Sequence, residues 1–207
     1  MERLYLVRHG RTTLNENGVY QASEADLSES GISQAKAVAK RFSSKKIDLI
    51  ISSNTQRAKR TAGIINASIN AKLLQTDMLN EKKLPSFFYG KSANDKSIAK
   101  VLDELIKHDN DVEWHYSDEE NYSDFMKRLN GFIKYVESLK EDSAIVVTHS
   151  GVIKALTILF MKNEMISTEI FASWLSFLHT ENTGITELLF KSGNWRLLTY
   201  NDYTHLI

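Results

Sequence analysis

Three observations predict an α/β fold, a three-layer sandwich in which a mostly parallel, mixed sheet is flanked by helices. Short apolar runs alternate with stretches of helical period along the chain, as in strand–helix–strand units. The runs at Leu4 to Val7, Ile47 to Ile51 and Ala144 to Val147 are continuous or nearly so, as expected of buried strands. Near the end, Gly184 to Phe190 and Trp195 to Tyr200 flank Lys191-Ser192-Gly193-Asn194, a hairpin signal that makes the sheet mixed.

Each element has its own reason. Leu4 to Val7 is apolar without helical period and reads as the first strand. Asn15 to Ser30 is polar, holds Asn17-Gly18, and is expected to be a long loop. Ser30-Gly31 opens a helix, because Ile32, Ala35, Val38, Ala39 and Phe42 recur at three- and four-residue spacing. After the second strand, Ser52-Ser53-Asn54-Thr55 offers capping side chains to a helix from Gln56 to Ile65, with Ala58, Ala62 and Ile65 on its buried face. Leu73 to Leu79 is assigned to a third strand, and Asn80 to Asn94 to an irregular, aromatic-rich segment. Helical period returns in Ser97 to Lys107 and Ser123 to Leu139, either side of an acidic, polar stretch from His108 to Asn121. A strongly apolar strand from Ala144 to Val147 leads into a helix from Gly151 to Met161. No repeat or linker divides residues 1–207, so one domain is expected, with roughly residues 82–125 inserted over one end of the sheet.

Composition narrows the function classes. Of 207 residues, 42% are hydrophobic and 25% charged, an ordinary globular balance. Lys and Arg together number 26, as do Asp and Glu, so there is no basic surplus of the kind nucleic-acid binders use against phosphates. Without cysteine there is no disulfide framework, thiolate zinc site or cysteine nucleophile. No run approaches the ~18 apolar residues of a membrane span, and no basic segment with an apolar run opens the chain. A soluble cytoplasmic protein, bound neither to nucleic acid nor to membrane, is the expectation.

Three strand ends carry chemistry, and in open α/β sheets ligands gather at the carboxyl ends of strands. The first gives Arg8-His9-Gly10, the second Ser52-Ser53 followed by Arg57, and the strand from Ala144 gives Thr148-His149-Ser150-Gly151. If these strands are neighbours, two arginines and two histidines meet in one pocket. Arginine forks suit tetrahedral oxyanions, whereas a metal cation beside them would be repelled. A histidine among arginines can also attack phosphorus through its neutral ring. No metal site is expected.

The residues at these ends carry a resemblance. "LVRHGRTTLN" resembles the Arg-His-Gly signature of the histidine phosphatase superfamily, the phosphoglycerate mutase-like proteins. "LSESGISQA", "SSNTQRAKRTA", "LNEKKLPSFFYG", "VVTHSG" and "NDYTHL" follow in the family's order along nearly the whole chain. The resemblance implies a phosphoglycerate mutase-like fold and metal-independent hydrolysis of small-molecule phosphomonoesters, without a cofactor. It implies that His9 is the nucleophile that becomes phosphohistidine. Arg8, Arg57 and His149 would bind the phosphoryl oxygens, Asn15 would touch them, and Glu81 would be general acid and then base. A protonated Glu81 favours mildly acidic pH. Where the family often has a glycine and a tryptophan-acidic pair after that glutamate, this chain has "KKLPSFFYG", which leaves sugar-acid phosphate specificity open. Phe87, Phe88 and Tyr89 form either an apolar wall over the leaving group or the packing of the insertion.

Two alternatives stand beside hydrolysis. One is a phosphoglycerate mutase-type phosphotransferase, though mutases of this superfamily generally resemble longer chains. The other is a weakly catalytic member that binds a phosphorylated ligand or a protein partner. An apolar edge from the hairpin or the last helix would support a homodimer.

Overall fold

Six strands form one sheet, in the order β3-β2-β4-β1-β5-β6. They are β1 (Arg3–Arg8), β2 (Leu49–Ser53), β3 (Lys72–Thr76), β4 (Ser143–Thr148), β5 (Ile185–Lys191) and β6 (Asn194–Asp202). The structure is a computed structural model and describes residues 1–108, 111–162 and 168–207. The stretch His108 to Asn121 therefore lies partly outside the described residues, at 109–110. Strands β1 to β4 run parallel, whereas β5 pairs antiparallel with β1, and β6 with β5. The layered α/β fold with a mixed sheet is as the sequence predicts.

Helices cover both faces, and the two-residue period of the strands decides which side chains meet which helix. Leu4, Leu6, Leu49, Ile51, Ala144 and Val146 share one core with α5 (Tyr122–Ser138) and α6 (Ser150–Lys162). Tyr5, Val7, Ile50, Ile145 and Val147 face the other core, beneath α2 (Glu29–Phe42) and α3 (Gln56–Ile69). The small apolar residues of α3, Ala58 and Ala62, are fully buried there. Tyr122 and Phe125, at the start of α5, belong to the first core. A third, small cluster of Phe88, Ile98 and Val101 lies apart, with Tyr20, Leu84, Leu102 and Leu105 against it. It is built from α4 (Lys96–Lys107) and the irregular chain before it.

Three local differences from the sequence expectation have physical causes. The chain expected as a loop after Asn15 opens inside a short helix, α1 (Thr13–Glu16). Thr12 caps it, its hydroxyl accepting from the Asn15 N–H at 3.0 Å. The third strand stops at Thr76, whose side chain caps a 3₁₀ turn over Asp77–Leu79 instead. Finally, α7 (Thr168–Phe177) is a helix the sequence reading leaves out: "TEIFASWLSF" has apolar letters at adjacent as well as helically spaced positions, so it lacks the contrast that periodicity detects. Among the described residues no helix is long and apolar enough to cross a membrane.

Candidate active site

The order β2-β4-β1 places three parallel strand ends side by side. His9 follows β1 and its N–H donates to the Thr148 carbonyl at the end of β4, at 2.9 Å. His149 follows β4, so the two imidazoles meet edge to face with centroids 5.1 Å apart. Arg57 sits at the second position of α3, which leaves the end of β2. A cavity of about 620 Å³ opens at this edge, and Arg8, His9, Asn15, Arg57, Glu81 and His149 all line it. The six candidate residues, scattered over 140 positions of sequence, are thus brought to one site.

His9 is 3% exposed, and its Nδ1 lies 2.8 Å from the Gly10 carbonyl oxygen. A carbonyl only accepts, so Nδ1 carries the hydrogen and Nε2 keeps the lone pair. Burial, then the nearby Arg57 and Arg8 charges, hold the imidazole well below the ordinary histidine pKa of 6.5. The backbone around it is fastened on both sides: Asn182 Nδ2 donates to the His9 carbonyl at 2.9 Å, and the Gly10 N–H donates to Thr61 Oγ1 at 3.0 Å.

His149 is held in the opposite tautomer. Arg57 Nη2 lies 3.4 Å from its Nδ1 and can only donate, so Nδ1 accepts and Nε2 carries the hydrogen. That N–H is shared between Ser53 Oγ at 2.9 Å and Thr55 Oγ1 at 3.3 Å, and Ser53 passes its own hydrogen to Asn80 Oδ1 at 2.8 Å. The result is a directed chain from Arg57 through His149 and Ser53 to Asn80. Burial first, then His9, Arg57 and Arg8, lower the His149 pKa well below 6.5.

The two guanidiniums are largely buried. Arg8 donates to the Thr180 carbonyl at 2.5 Å and Arg57 to the Ala22 carbonyl at 2.8 Å, while the Nε of each is buried with no hydrogen-bond partner among the described residues. Burial, opposed by the Glu81 carboxylate, brings Arg57 down to about 10, so it remains charged at neutral pH. Buried cationic donors of this kind are matched by an oxyanion. Glu81 also lines the cavity. Its Oε2 accepts from the Gly151 N–H and its Oε1 from the Lys82 N–H, both at 3.1 Å. Gly151 is the second residue of α6, so this carboxylate rests on a helix N-terminus. Asn15 is partly committed to its own helix, where its side-chain oxygen is 3.4 Å from the Thr12 N–H.

Of the three aromatic residues considered for the leaving-group wall, Tyr89 lines the cavity. Phe88 is buried in the small third core, so for it the packing alternative holds, while Phe87 is 40% exposed on a different surface and belongs to neither. Sequence reasoning read Ser53 as a helix-capping side chain and gave Asn80 and Thr61 no role at the site; short polar side chains carry no distinctive signal of their own. The remaining histidines lie outside the cavity: His108 stacks on Trp114, His115 bonds the Glu119 carbonyl, His179 pairs with Glu181 and His205 with Thr183.

The buried histidines imply a pH dependence of stability. Unfolded, each binds a proton near pH 6.5, whereas folded each binds it only well below that, so the unfolded chain holds more protons through this window. Stability therefore falls as the pH drops below about 6.5, by up to about 1.4 kcal/mol per pH unit for each histidine. Urea midpoints measured from pH 7.5 to 5.5 should fall for the wild type and fall less steeply for His149→Asn. Parallel slopes would show that His149 is not kept neutral by the fold.

Known proteins resemble the chain along nearly its whole length. Residues 4–203 match the family model described as "Histidine phosphatase superfamily (branch 1)". A Hydrogenobacter thermophilus protein named "Putative phosphoserine phosphatase 2" is 30% identical over 99% of this chain and 98% of its own. The Arabidopsis thaliana "Metal-independent phosphoserine phosphatase" is 26% identical over 98% of this chain and 82% of its own. Among solved structures, a mutant phosphoserine phosphatase from Entamoeba histolytica, in complex with phosphoserine, covers 100% of both chains with a TM-score of 0.78 at 23% identity, a likeness of fold.

Proposed function

The chain belongs to the histidine phosphatase superfamily, and on that premise we propose that it hydrolyses small-molecule phosphomonoesters through a phosphohistidine on His9, without a metal. The observation that carries this reading is the buried, neutral His9, whose Nδ1–H is committed to Gly10 so that Nε2 keeps its lone pair between two arginines. The names of the full-length relatives, phosphoserine phosphatases, support small phosphorylated substrates.

The chemistry then runs in two in-line steps. Nε2 attacks phosphorus, the P–O bond to the alcohol breaks, and Glu81 donates its proton to the departing oxygen. Arg8 and Arg57 balance the charge spread over the equatorial oxygens. His149 orients Arg57 through Nδ1 and would lend its Nε2–H to the same oxygens by turning it from Ser53 and Thr55, with Asn15 beside them. Glu81, now a carboxylate, takes a proton from water as that water attacks the phosphohistidine, which releases inorganic phosphate and restores Nε2. Two buried guanidiniums supply the positive charge that a metal would otherwise bring, which supports metal-independence.

Residues 82–125 are proposed to cover the leaving-group side, since Lys82, Lys83, Leu84 and Tyr89 of this segment line the cavity. The absence of cysteine fits a reducing compartment, so a cytoplasmic location belongs to the same proposal. Leu197 and Leu198, about half exposed on the edge strand β6, support a homodimer.

The test is release of inorganic phosphate from an aryl phosphate and from O-phosphoserine in the presence of a chelator, with acid-labile phosphate trapped on the protein during turnover. Chelator-sensitive activity, or turnover with no phosphoenzyme, would overturn the reading. Phosphate returned to a second hydroxyl of the substrate would mark a mutase instead. A further consequence concerns Gly151, where an added Cβ would lie 2.6 Å from Glu81 Oε1. That oxygen ends a side chain that can move aside, so Gly151→Ala should fold normally while displacing the acid. A drop in kcat of about 10²-fold with an unchanged thermal midpoint is expected.

A further inference from the structure

Glu81 stands on an irregular stretch of chain, with neither helix nor strand to fix it. Ser53 and Thr148 hold the chain just before it, at the Asn80 side chain and the Leu79 carbonyl, and a largely buried ion pair between α5 and the segment before that helix holds the chain on both sides of Glu81. Arg128 Nε and Nη2 grip the Glu120 carboxylate as a fork, at 2.7 and 2.6 Å. The remaining terminal nitrogen, Nη1, donates to the Met78 carbonyl at 2.8 Å and the Asn80 carbonyl at 2.9 Å. On the other side of Glu81, the Glu120 N–H donates to the Lys83 carbonyl at 3.0 Å. The carbonyl just before Glu81 is thus bound by Arg128, and the one two residues after it by the backbone of Glu120. Side-chain exposure of only 20% and 14% shields the pair from competing water.

We infer that the Arg128–Glu120 pair is a positioning clamp that brackets Glu81 and sets its reach to the leaving-group oxygen. This rests on Glu81 being the general acid. Arg128 does not line the cavity, so it acts through the chain it holds. The fork geometry matters as much as the charge, since one guanidinium serves two carbonyls and both oxygens of a carboxylate at once. A lysine keeps the charge but cannot make that set of bonds. Arg128 also lies near enough to His149 to help keep that ring neutral, although burial dominates there.

A misplaced acid has a signature that simple loss of stability lacks. Alkyl leaving groups need protonation in the transition state, whereas a p-nitrophenolate departs well without it. In Arg128→Met and Arg128→Lys, kcat/KM, which reports transfer to His9 and not the later hydrolysis that both esters share, should fall about 30-fold or more for O-phosphoserine and less than about 3-fold for p-nitrophenyl phosphate. Inhibition by inorganic phosphate should stay unchanged, because Arg8, Arg57 and His149 are untouched. Glu120→Gln, a milder change that keeps the backbone bond to Lys83, should show the same selectivity at smaller size and carries the test if the Arg128 variants do not fold. Glu81→Gln is the reference and should show the largest alkyl-over-aryl loss. Equal losses on both esters, no loss on either, or full rescue by lysine would overturn the clamp. A reference variant without the selectivity would refute Glu81 as the acid, and the clamp's purpose with it.

Discussion

Replacing His9 with alanine is expected to lower phosphomonoester hydrolysis by about 10⁴-fold or more while the chain still folds. The size follows from the lack of a substitute. In His149, the other imidazole in the cavity, Nδ1 accepts from Arg57 and Nε2 carries its hydrogen toward Ser53, so no lone pair is left to attack phosphorus. Arginines cannot serve as nucleophiles at neutral pH, and the chain has no cysteine. The variant keeps Arg8 and Arg57, so it should still bind inorganic phosphate or uncleaved substrate. It should form no acid-labile phosphoenzyme. The fold should tolerate the change, because His9 makes one side-chain hydrogen bond, to a carbonyl at the protein's own turn. Phosphate release by the wild type and the variant, each confirmed folded by circular dichroism, checks the prediction. Activity within about tenfold of wild type would sink the phosphohistidine mechanism.

Gly31→Ala is expected to cost about 3 kcal/mol of stability, read as a lower urea midpoint with an unchanged slope. An added Cβ would lie 1.9 Å from the Arg11 carbonyl oxygen, with Arg11 carbonyl carbon and N both at 2.8 Å. Every one of those neighbours is backbone, so no side chain can yield. Either α2 retreats from the Arg8–Arg11 turn or the turn itself moves. Both choices strain the bonds that join them, the Ser28 N–H to the Arg11 carbonyl at 3.0 Å and the Arg11 N–H to Gln34 Oε1 at 2.9 Å. The cost should also appear in activity, since the same turn carries His9 and since Gly10 approaches Gly31 from the other side, where its own Cβ would sit 2.5 Å from the Gly31 carbonyl oxygen. Gly63→Ala is the control: it lies inside α3 with nothing within 4 Å of the added atom, and should be neutral or stabilising by up to about 1 kcal/mol. A Gly31→Ala midpoint equal to that of wild type would mean the close approach is not maintained in solution.

Much of the site was legible because its residues stand at the ends of apolar runs. A strand that must be buried reads as uninterrupted Leu, Ile and Val, and a polar residue directly after it, such as His9 or His149, stands out. The ordered matches then made Arg57 and Glu81 visible, although each sits in a segment whose local pattern is ordinary. Ser53 and Asn80 were not legible as parts of a relay, because their value lies in pairing across 27 positions. Arg128 was hidden for the same reason: on α5 it reads as one more polar residue among helical repeats, and its partners are backbone carbonyls some fifty residues earlier. Phe87 and Phe88 are adjacent and chemically alike, yet a 3₁₀ turn buries one fully and leaves the other 40% exposed.

By itself the sequence determined the α/β class, the family resemblance and the identity of six of the residues that line the cavity. Those follow from local quantities, the period of apolar residues and the short motifs that end each strand. The tertiary structure alone decided which imidazole nitrogen is left with a lone pair. That depends on His9 meeting a carbonyl while His149 meets a guanidinium from a different strand–helix unit. It also decided how Glu81 is held, between the N-terminus of α6 and a largely buried arginine–glutamate pair. Protonation state and aim are set by what surrounds a group in space, and burial beside charges drawn from distant parts of the chain leaves no mark on the residues next to it in sequence.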